Sequence, residues 1–374
     1  MSDARFIPYG RQSIDDDDIQ AVTDVLRSDW LTTGPAVERF EADLCAYTGA
    51  RYGVAMSSGT AALHAAMFAL NIDPGDEVIV TPMTFVASAN CILYQGGTPV
   101  FADVDPDTLL LDPAAVEASI TPRTKAIIAV DYAGQPCDWD ALNAIADRHH
   151  LALVADGCHA LGARYKGRRV GTLADITVFS FHPVKHITTG EGGMAVTDDE
   201  YLARRMRLFR GHGITTTAHQ REKTGGWFYE MTELGYNYRI TDIQCALGAS
   251  QLKKLSGWIA KRNELAGLYD AAFADTAVRP LARRGDVLHA YHLYVVRTPE
   301  RDEVFKRLRV QDIGANVHYV PVYLHPYYRK QGYKKGLCPV SEAAYAEILT
   351  LPLWPGMESD TIRRVMHAAI RTGQ

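Results

Sequence analysis

"LALVADGCHALGARYKGRRVGTLADITVFSFHPVKHITTGEGGMAVTD", residues 151–198, places three short apolar runs between Gly- and Thr-rich turns. Runs of this length, bounded by turn residues, read as buried strands. "LALVAD" ends on Asp156, and Lys185 follows "DITVFSF" with His182 and His186 on either side. A carboxylate at the end of a buried strand is costly unless it meets a partner. A lysine held against apolar walls and histidines loses proton affinity and becomes a nucleophile toward carbonyls. Each residue also has a plain reading. Asp156 could cap a nearby helix or pair with His159, and Lys185 could be a surface lysine.

Upstream, the same alternation of strand and helix runs back to residue 52. "YGVAMSS", "EVIVTP", "TPVFADV" and "KAIIAVDY" read as strands. "GTAALHAAMFAL", "TFVASANCILYQG" and "DWDALNAIADRHH" read as helices, the last with Asp138 as N-cap. This is the signature of βαβ units in a mostly parallel sheet flanked by helices, with ligands outside the carboxyl ends of the strands. Downstream, a long helical pattern runs from Thr241 to Phe273. An α+β region follows: strand "HLYVVRT", helix "RDEVFKRLRV", strand "ANVHYVPVY", and helices near 341–349 and 359–372. The expected division is a large domain, 1–245 with its N-terminal arm, and a small C-terminal domain, 246–374.

Composition narrows the function. The 374 residues carry 44 acids against 39 bases, a net charge of −5, so a broad nucleic-acid surface is disfavoured. The longest uncharged stretch, Val78 to Ala102, contains Pro82, Gly96, Gly97 and Pro99, which argues against a membrane span. The N-terminus lacks a secretory pattern. Six cysteines are scattered with no C-x-x-C pair, so neither zinc nor a disulfide framework is expected, and a reduced cytoplasmic setting fits. No G-x-G-x-x-G follows a strand; "GHGITT" at 211–216 lacks the third glycine, which disfavours a dinucleotide enzyme.

One further stretch matters. "SSGTAAL", 57–63, joins a strand to a helix that opens on residues of little bulk. Free backbone N–H groups and the positive end of the helix dipole would meet an anion there, with Ser58 and Thr60 adding hydroxyls. The plain reading is a Ser58 cap with close packing at Gly59. An anion cradle, an aspartate and an activated lysine at strand ends of one sheet are what pyridoxal phosphate (PLP) requires. Its phosphate goes to a helix N-terminus, its ring N–H to a carboxylate and its aldehyde to a lysine as a Schiff base.

The run from Ala155 to Asp199, with "GTAAL", "PMTFVASAN", "VDYAGQPCD" and "LGYNYRITDIQCALG", resembles the DegT-type nucleotide-sugar aminotransferases over nearly the whole chain. The resemblance implies an α/β PLP-dependent transferase of fold type I, a mixed, mostly parallel sheet flanked by helices with a smaller α+β C-terminal domain. It also implies a homodimer with shared active sites, and transfer of an amino group from L-glutamate to a keto-sugar nucleotide. Lys185 matches the Schiff-base lysine, Asp156 the carboxylate facing the ring nitrogen, and His159 the D-x-x-H histidine near the phenolic oxygen. Gly59, Thr60, Ala61 and Ser180 match the phosphate cradle. Phe85 matches the aromatic over the ring, and Asn237 the residue reaching the neighbouring subunit's phosphate. The opening "IPYGRQSIDDDDIQAVTDVLRSDWLTTGP" and "NVHYVPVYLHPYYRKQGY" resemble members acting at C4 of a UDP-4-keto-6-deoxy-N-acetylhexosamine. That likeness implies sugar-nucleotide contacts at Tyr9, Asp29, Trp30, Leu31, Thr32, Ser58, His318 and Tyr319. Two departures bear on pocket shape: Gly157-Cys158 replaces small Ala or Ser residues, and Ser57 stands where asparagine is frequent. The alternatives are a transaminase for another keto sugar, a dehydratase (whose relatives carry histidine at the Lys185 position), and a non-catalytic PLP-binding regulator.

Overall fold

The computed structural model of the chain describes residues 6–216, 221 and 225–370. Two helices come first, α1 (Asp16–Leu26) and α2 (Pro35–Thr48). The alternation then runs β1 (Tyr52–Met56), α3 (Gly59–Ala69), β2 (Glu77–Val80), α4 (Ala87–Tyr94) and β3 (Thr98–Phe101). It continues with α5 (Pro113–Ala118), β4 (Thr124–Val130), α6 (Trp139–His149) and β5 (Ala152–Asp156). The short strands β6 (Arg164–Tyr165) and β7 (Arg168–Arg169) precede β8 (Ile176–Ser180), β9 (Gly193–Thr197) and α7 (Glu200–Arg210). Next come α8 (Asp242–Leu252), α9 (Leu255–Phe273), β10 (Arg279–Pro280), β11 (Val287–Leu288) and β12 (Tyr294–Arg297). The described chain closes with α10 (Arg301–Val310), α11 (Pro326–Lys330), α12 (Pro339–Glu347), β13 (Ile348–Leu351) and α13 (Ser359–Ile370).

The main sheet has seven strands in the order β1-β9-β8-β5-β4-β2-β3. β9 runs antiparallel to both its neighbours, and the other pairs are parallel. Both faces are covered, which is why the strands read as continuous apolar runs rather than alternating ones. In β4, Ile127 and Ala129 join the core on one face, while Ala126 and Ile128 join the core on the other. A second sheet, β10-β12-β13, is antiparallel. Leu265, Tyr269 and Phe273 of α9, Leu308 of α10 and Val365 of α13 bury their side chains in a third core with it.

The N-terminal arm is tied to this C-terminal region. Ile7 donates its N–H to Asp312 O at 2.8 Å and accepts from Gly314 N–H at 2.6 Å, and Leu353 N–H donates to Tyr9 O at 3.0 Å. Ile7 itself sits in the third core.

α2 begins at Pro35 without a side-chain cap of its own. Asp242, buried at the start of α8, supplies one from a distance: its carboxylate accepts from Gly34 N–H and Ala36 N–H, both at 2.8 Å. Asp242→Ala leaves two backbone donors without acceptors and should lower unfolding stability by about 2–3 kcal/mol. A urea midpoint within error of the wild type would refute that role.

Three elements differ from the sequence reading. The helical pattern 241–273 is two helices, parted at Lys253 and Lys254. There the N–H groups bond three residues back, to Ser250 O and Gln251 O, and Lys254 Nζ is drawn to Asp18 at 2.9 Å. The expected strand 315–323 is not one: Asn316 bridges Thr350 alone, and a short 3-10 turn, Val322–Leu324, follows Pro321. The helix expected near 341–349 ends at Glu347, and Ile348 and Leu349 open β13 instead, because "ILTL" pairs along β12. The expected helix near 359–372 is seen as Ser359–Ile370, and its last residues lie outside the described ones.

Candidate active site

The carboxyl ends of β1, β4, β5 and β8 open on one side into a cleft of about 590 Å³. It is walled by Ser58, Gly59 and Thr60 after β1, Thr84, Phe85 and Ser88 after β2, and Asp156, Cys158 and His159 after β5. Ser180 and Lys185 follow from β8, and His292, His318 and Tyr319 come from the C-terminal region, with Tyr9 from the arm.

Asp156 is the last residue of β5, held in register between Val130 of β4 and Val178 of β8. Its side chain is buried, and both oxygens accept: Ser88 Oγ–H donates to Oδ2 at 2.6 Å and Cys158 N–H to Oδ1 at 3.1 Å. Since the Ser88 proton is committed to Asp156, Thr84 is the donor in its own 2.8 Å contact with Ser88. A buried carboxylate fixed by two donors is poised to face a positive N–H.

Lys185 sits in the turn after β8, half-buried, with Nζ 3.4 Å from His292 Nε2. Burial lowers its proton affinity, and the nearby Cys158 and Asp156 oppose that only in part. His159 and His292 stack with ring centroids 4.4 Å apart. Both are held well below the usual histidine range, first by burial and then by the Lys185 charge, so both imidazoles are neutral. His159 Nε2 lies 3.1 Å from Tyr319 Oη, while its Nδ1 is buried with no partner. Tyr319 in turn is braced by His318, whose Nδ1 meets Thr350 Oγ1 at 2.8 Å.

The start of α3 forms the opposite end of the cleft. Ser58 Oγ accepts from Ala61 N–H at 3.0 Å and caps the helix. The Ala61 donor is thereby used and Ala61 does not line the cleft, whereas the first N–H groups, at Gly59 and Thr60, have no place in the helix ladder. Space there is tight. A Cβ on Gly193 would come within 2.4 Å of Gly59 N, and one on Gly59 within 3.0 Å of Ser180 Cβ. Gly193 therefore lets β9 press against the helix end, and Ser180 is brought beside its first turn. Phe85 is 57% exposed at the rim, 6.3 Å from the Tyr319 ring, an apolar ring left open for a flat ligand to cover.

These residues fit PLP: an acid, an amine and a helix end whose Gly59 and Thr60 N–H groups lie outside the helix ladder share one cleft, and a buried His159 nitrogen has no partner. The remaining residues that the sequence pointed to lie elsewhere. Asn237 is exposed on a segment that bridges Gly211. Asp29, Leu31 and Thr32 are exposed and Trp30 is half-buried, beside α8, where Thr32 bridges Thr241. None of these five lines the cleft of its own chain. Sequence reasoning missed Thr84, Ser88 and His292. Ser88 lies inside "PMTFVASAN", and its place on the first turn of α4, after a strand end, was the available signal. His292 heads a run that was read only as a strand.

The sequence profile described as the DegT/DnrJ/EryC1/StrS aminotransferase family matches residues 12–370. The spore coat polysaccharide biosynthesis protein SpsC of Bacillus subtilis is 44% identical over 374 residues, spanning 97% of this chain and 96% of the relative. Spr1654 of Streptococcus pneumoniae, solved in its PLP form, superposes with a TM-score of 0.93 at 33% identity, covering 98% of each chain. Helicobacter pylori PseC, an aminotransferase of pseudaminic acid biosynthesis, gives 0.92 at 33% identity, again covering 98% of each chain.

Proposed function

Because this chain belongs to the DegT/DnrJ/EryC1/StrS family and is a PLP-dependent nucleotide-sugar aminotransferase, we propose that its acceptor is a UDP-4-keto-6-deoxy-N-acetylhexosamine. On this reading it moves the amino group of L-glutamate to C4 of UDP-2-acetamido-2,6-dideoxy-β-L-arabino-hex-4-ulose. The product is UDP-4-amino-4,6-dideoxy-N-acetyl-β-L-altrosamine, a precursor in pseudaminic acid synthesis. The observation that carries it is the wall of Tyr9, His318 and Tyr319 beside Lys185, on a chain that superposes closely on PseC.

Bound PLP supplies an aldehyde that condenses with amines and a ring that withdraws electrons. The protein does the rest. Gly59 and Thr60 N–H, with the Thr60 and Ser180 hydroxyls, hold a phosphate at the positive end of α3. Asp156 keeps a ring N–H in place, and Ser88 and Cys158 N–H keep Asp156 oriented. Phe85 would lie over a ring face and His159 would reach a ring substituent, since both line the cleft. Lys185, with proton affinity lowered by burial, takes a proton from the amine-bearing carbon and returns it. The pattern is ping-pong, with glutamate leaving as 2-oxoglutarate before the sugar enters.

The cleft walls include no arginine, and His159, His292 and His318 are neutral. With Lys185 reserved for the cofactor, a diphosphate draws on cations from outside this chain's own cleft. Trp227, Phe228, Met231 and Leu234 are apolar and more than half exposed in the segment leading to Asn237. These features support a homodimer in which a second copy covers that segment and Asn237 reaches across to the other cleft. The proposed division is 1–245 and 246–374, and the second sheet lies wholly in the latter part. Among the described residues no helix is long and apolar enough to cross a membrane. A cytoplasmic place suits a nucleotide-sugar substrate and six free cysteines.

The test is incubation with L-glutamate and a panel of UDP-4-keto sugars, with the new C4 centre assigned by NMR. The β-L-arabino ketone should turn over at least about tenfold faster than its epimers, the scale of discrimination one misplaced contact provides. Preference for another ketone would overturn the substrate, while leaving the reaction class standing.

A further inference from the structure

We propose that His292 is the positioning residue of Lys185: its imidazole is the hydrogen-bond partner that holds the lysine's amine in both protonation states. The inference rests on Lys185 being the amine that reacts, as above.

Four buried histidines lie at or beside the cleft, His159, His186, His292 and His318, and His292 is the one that meets the lysine's amine. His186 Nε2 lies 3.1 Å from Ala290 O and must donate to it, which fixes that ring's tautomer. His159 is engaged with Tyr319 Oη. His292 meets Lys185 Nζ through Nε2 at 3.4 Å, and its Nδ1 is buried without a partner. No second bond therefore fixes where its single proton sits. An ammonium has only donors, so beside protonated Lys185 the Nε2 accepts and the proton is on Nδ1. A neutral amine has a lone pair, so Nε2–H can donate to it and the proton is on Nε2. Lys185 must alternate between these two forms to carry a proton.

The surroundings keep the imidazole neutral throughout. His292 is faced by Lys185, His159, His186 and the guanidinium of Arg262. Arg262 is itself buried, donating to Tyr291 O and Leu353 O at 3.0 Å each. Asp156 and Cys158 also act on the amine, with the neutral His318 nearby. The Asp156 charge favours the ammonium and the cations around the ring disfavour an imidazolium, so the proton stays on the lysine side of the pair.

Among the described residues His292 Nε2 is the acceptor that Lys185 Nζ meets, so removing the ring should let the lysine lose its proton more readily. The full-length chain, stripped of cofactor, is labelled with acetic anhydride from pH 6 to 10, and Lys185 acetylation is read by mass spectrometry. In His292→Leu the labelling midpoint should fall by about one pH unit, seen as about tenfold faster labelling below the midpoint. His292→Asn, polar but too short to reach Nζ, should shift alike, and it carries the comparison if the leucine variant does not fold. His292→Gln, which keeps an acceptor at similar reach, should restore the wild-type midpoint. In the loaded enzyme the leucine and asparagine variants should lose about tenfold in kcat with the sugar KM unchanged. An unchanged midpoint in leucine or asparagine, or an equal shift in glutamine, would overturn the proposal. The labelling needs no cofactor, so it judges His292 independently. Failure of borohydride to fix PLP to wild-type Lys185 would instead sink the functional reading.

Discussion

Lys185→Ala should lower kcat for amino transfer by about 10⁴ or more, since it removes both a nucleophile and a proton carrier. Nothing nearby replaces it. His159, His186 and His292 are buried and neutral, and none is a primary amine. The fold should survive, because the side chain is half-buried at the cleft and its hydrogen bond is the 3.4 Å contact with His292. Thermal unfolding should therefore match the wild type, while borohydride reduction no longer fixes PLP to the chain. Single-turnover transfer from glutamate is the measurement, and turnover near the wild-type rate would reject the mechanism.

Asp156→Asn should lower kcat by about 10²–10³, with less effect on folding. An opposite charge at contact holds a proton on a heteroaromatic nitrogen by roughly one to three pH units, and a neutral amide gives that up. The amide also fits its neighbours poorly. Ser88 O–H and Cys158 N–H both point donors at this side chain. Asparagine has one oxygen to offer them, so its NH₂ must face either a donor or the cleft. Asp156→Ala would remove the charge and the side chain's hydrogen-bond acceptors together; the asparagine variant keeps one acceptor. A rate within about threefold of the wild type would remove Asp156 from the mechanism.

Asp156 and Lys185 could be found in the sequence because each stands at the end of an apolar run, and strand ends of a parallel sheet converge on one edge. The same logic reached Gly59 and Thr60, which follow β1, whereas Ser180 at the end of β8 was reached through the family resemblance. It could not reach His292, which is 107 positions from Lys185 and arrives through the packing of the C-terminal region. Nor does local pattern explain β13, whose four residues become a strand only because β12 offers them a free edge. "ANVHYVPVY" alternates like a strand, but Asn316 has a single bridge to Thr350 and the chain then leaves the sheet toward the cleft, where His318 and Tyr319 are used. The ends of the long helical pattern were legible from its composition. Its break at Lys253–Lys254 was not, because the pull comes from Asp15 and Asp18, more than two hundred residues earlier.

Ribosomal synthesis delivers residues in order, and the arm around Ile7 and Tyr9 has to wait. Its anchoring groups are Asp312, Gly314 and Leu353, so Tyr9 cannot take its place until residue 353 has left the exit tunnel. The sheet, with Asp156 and Lys185, can assemble before that. During translation the sheet edge therefore stands with one side of its enclosure still missing, and the arm is seated late.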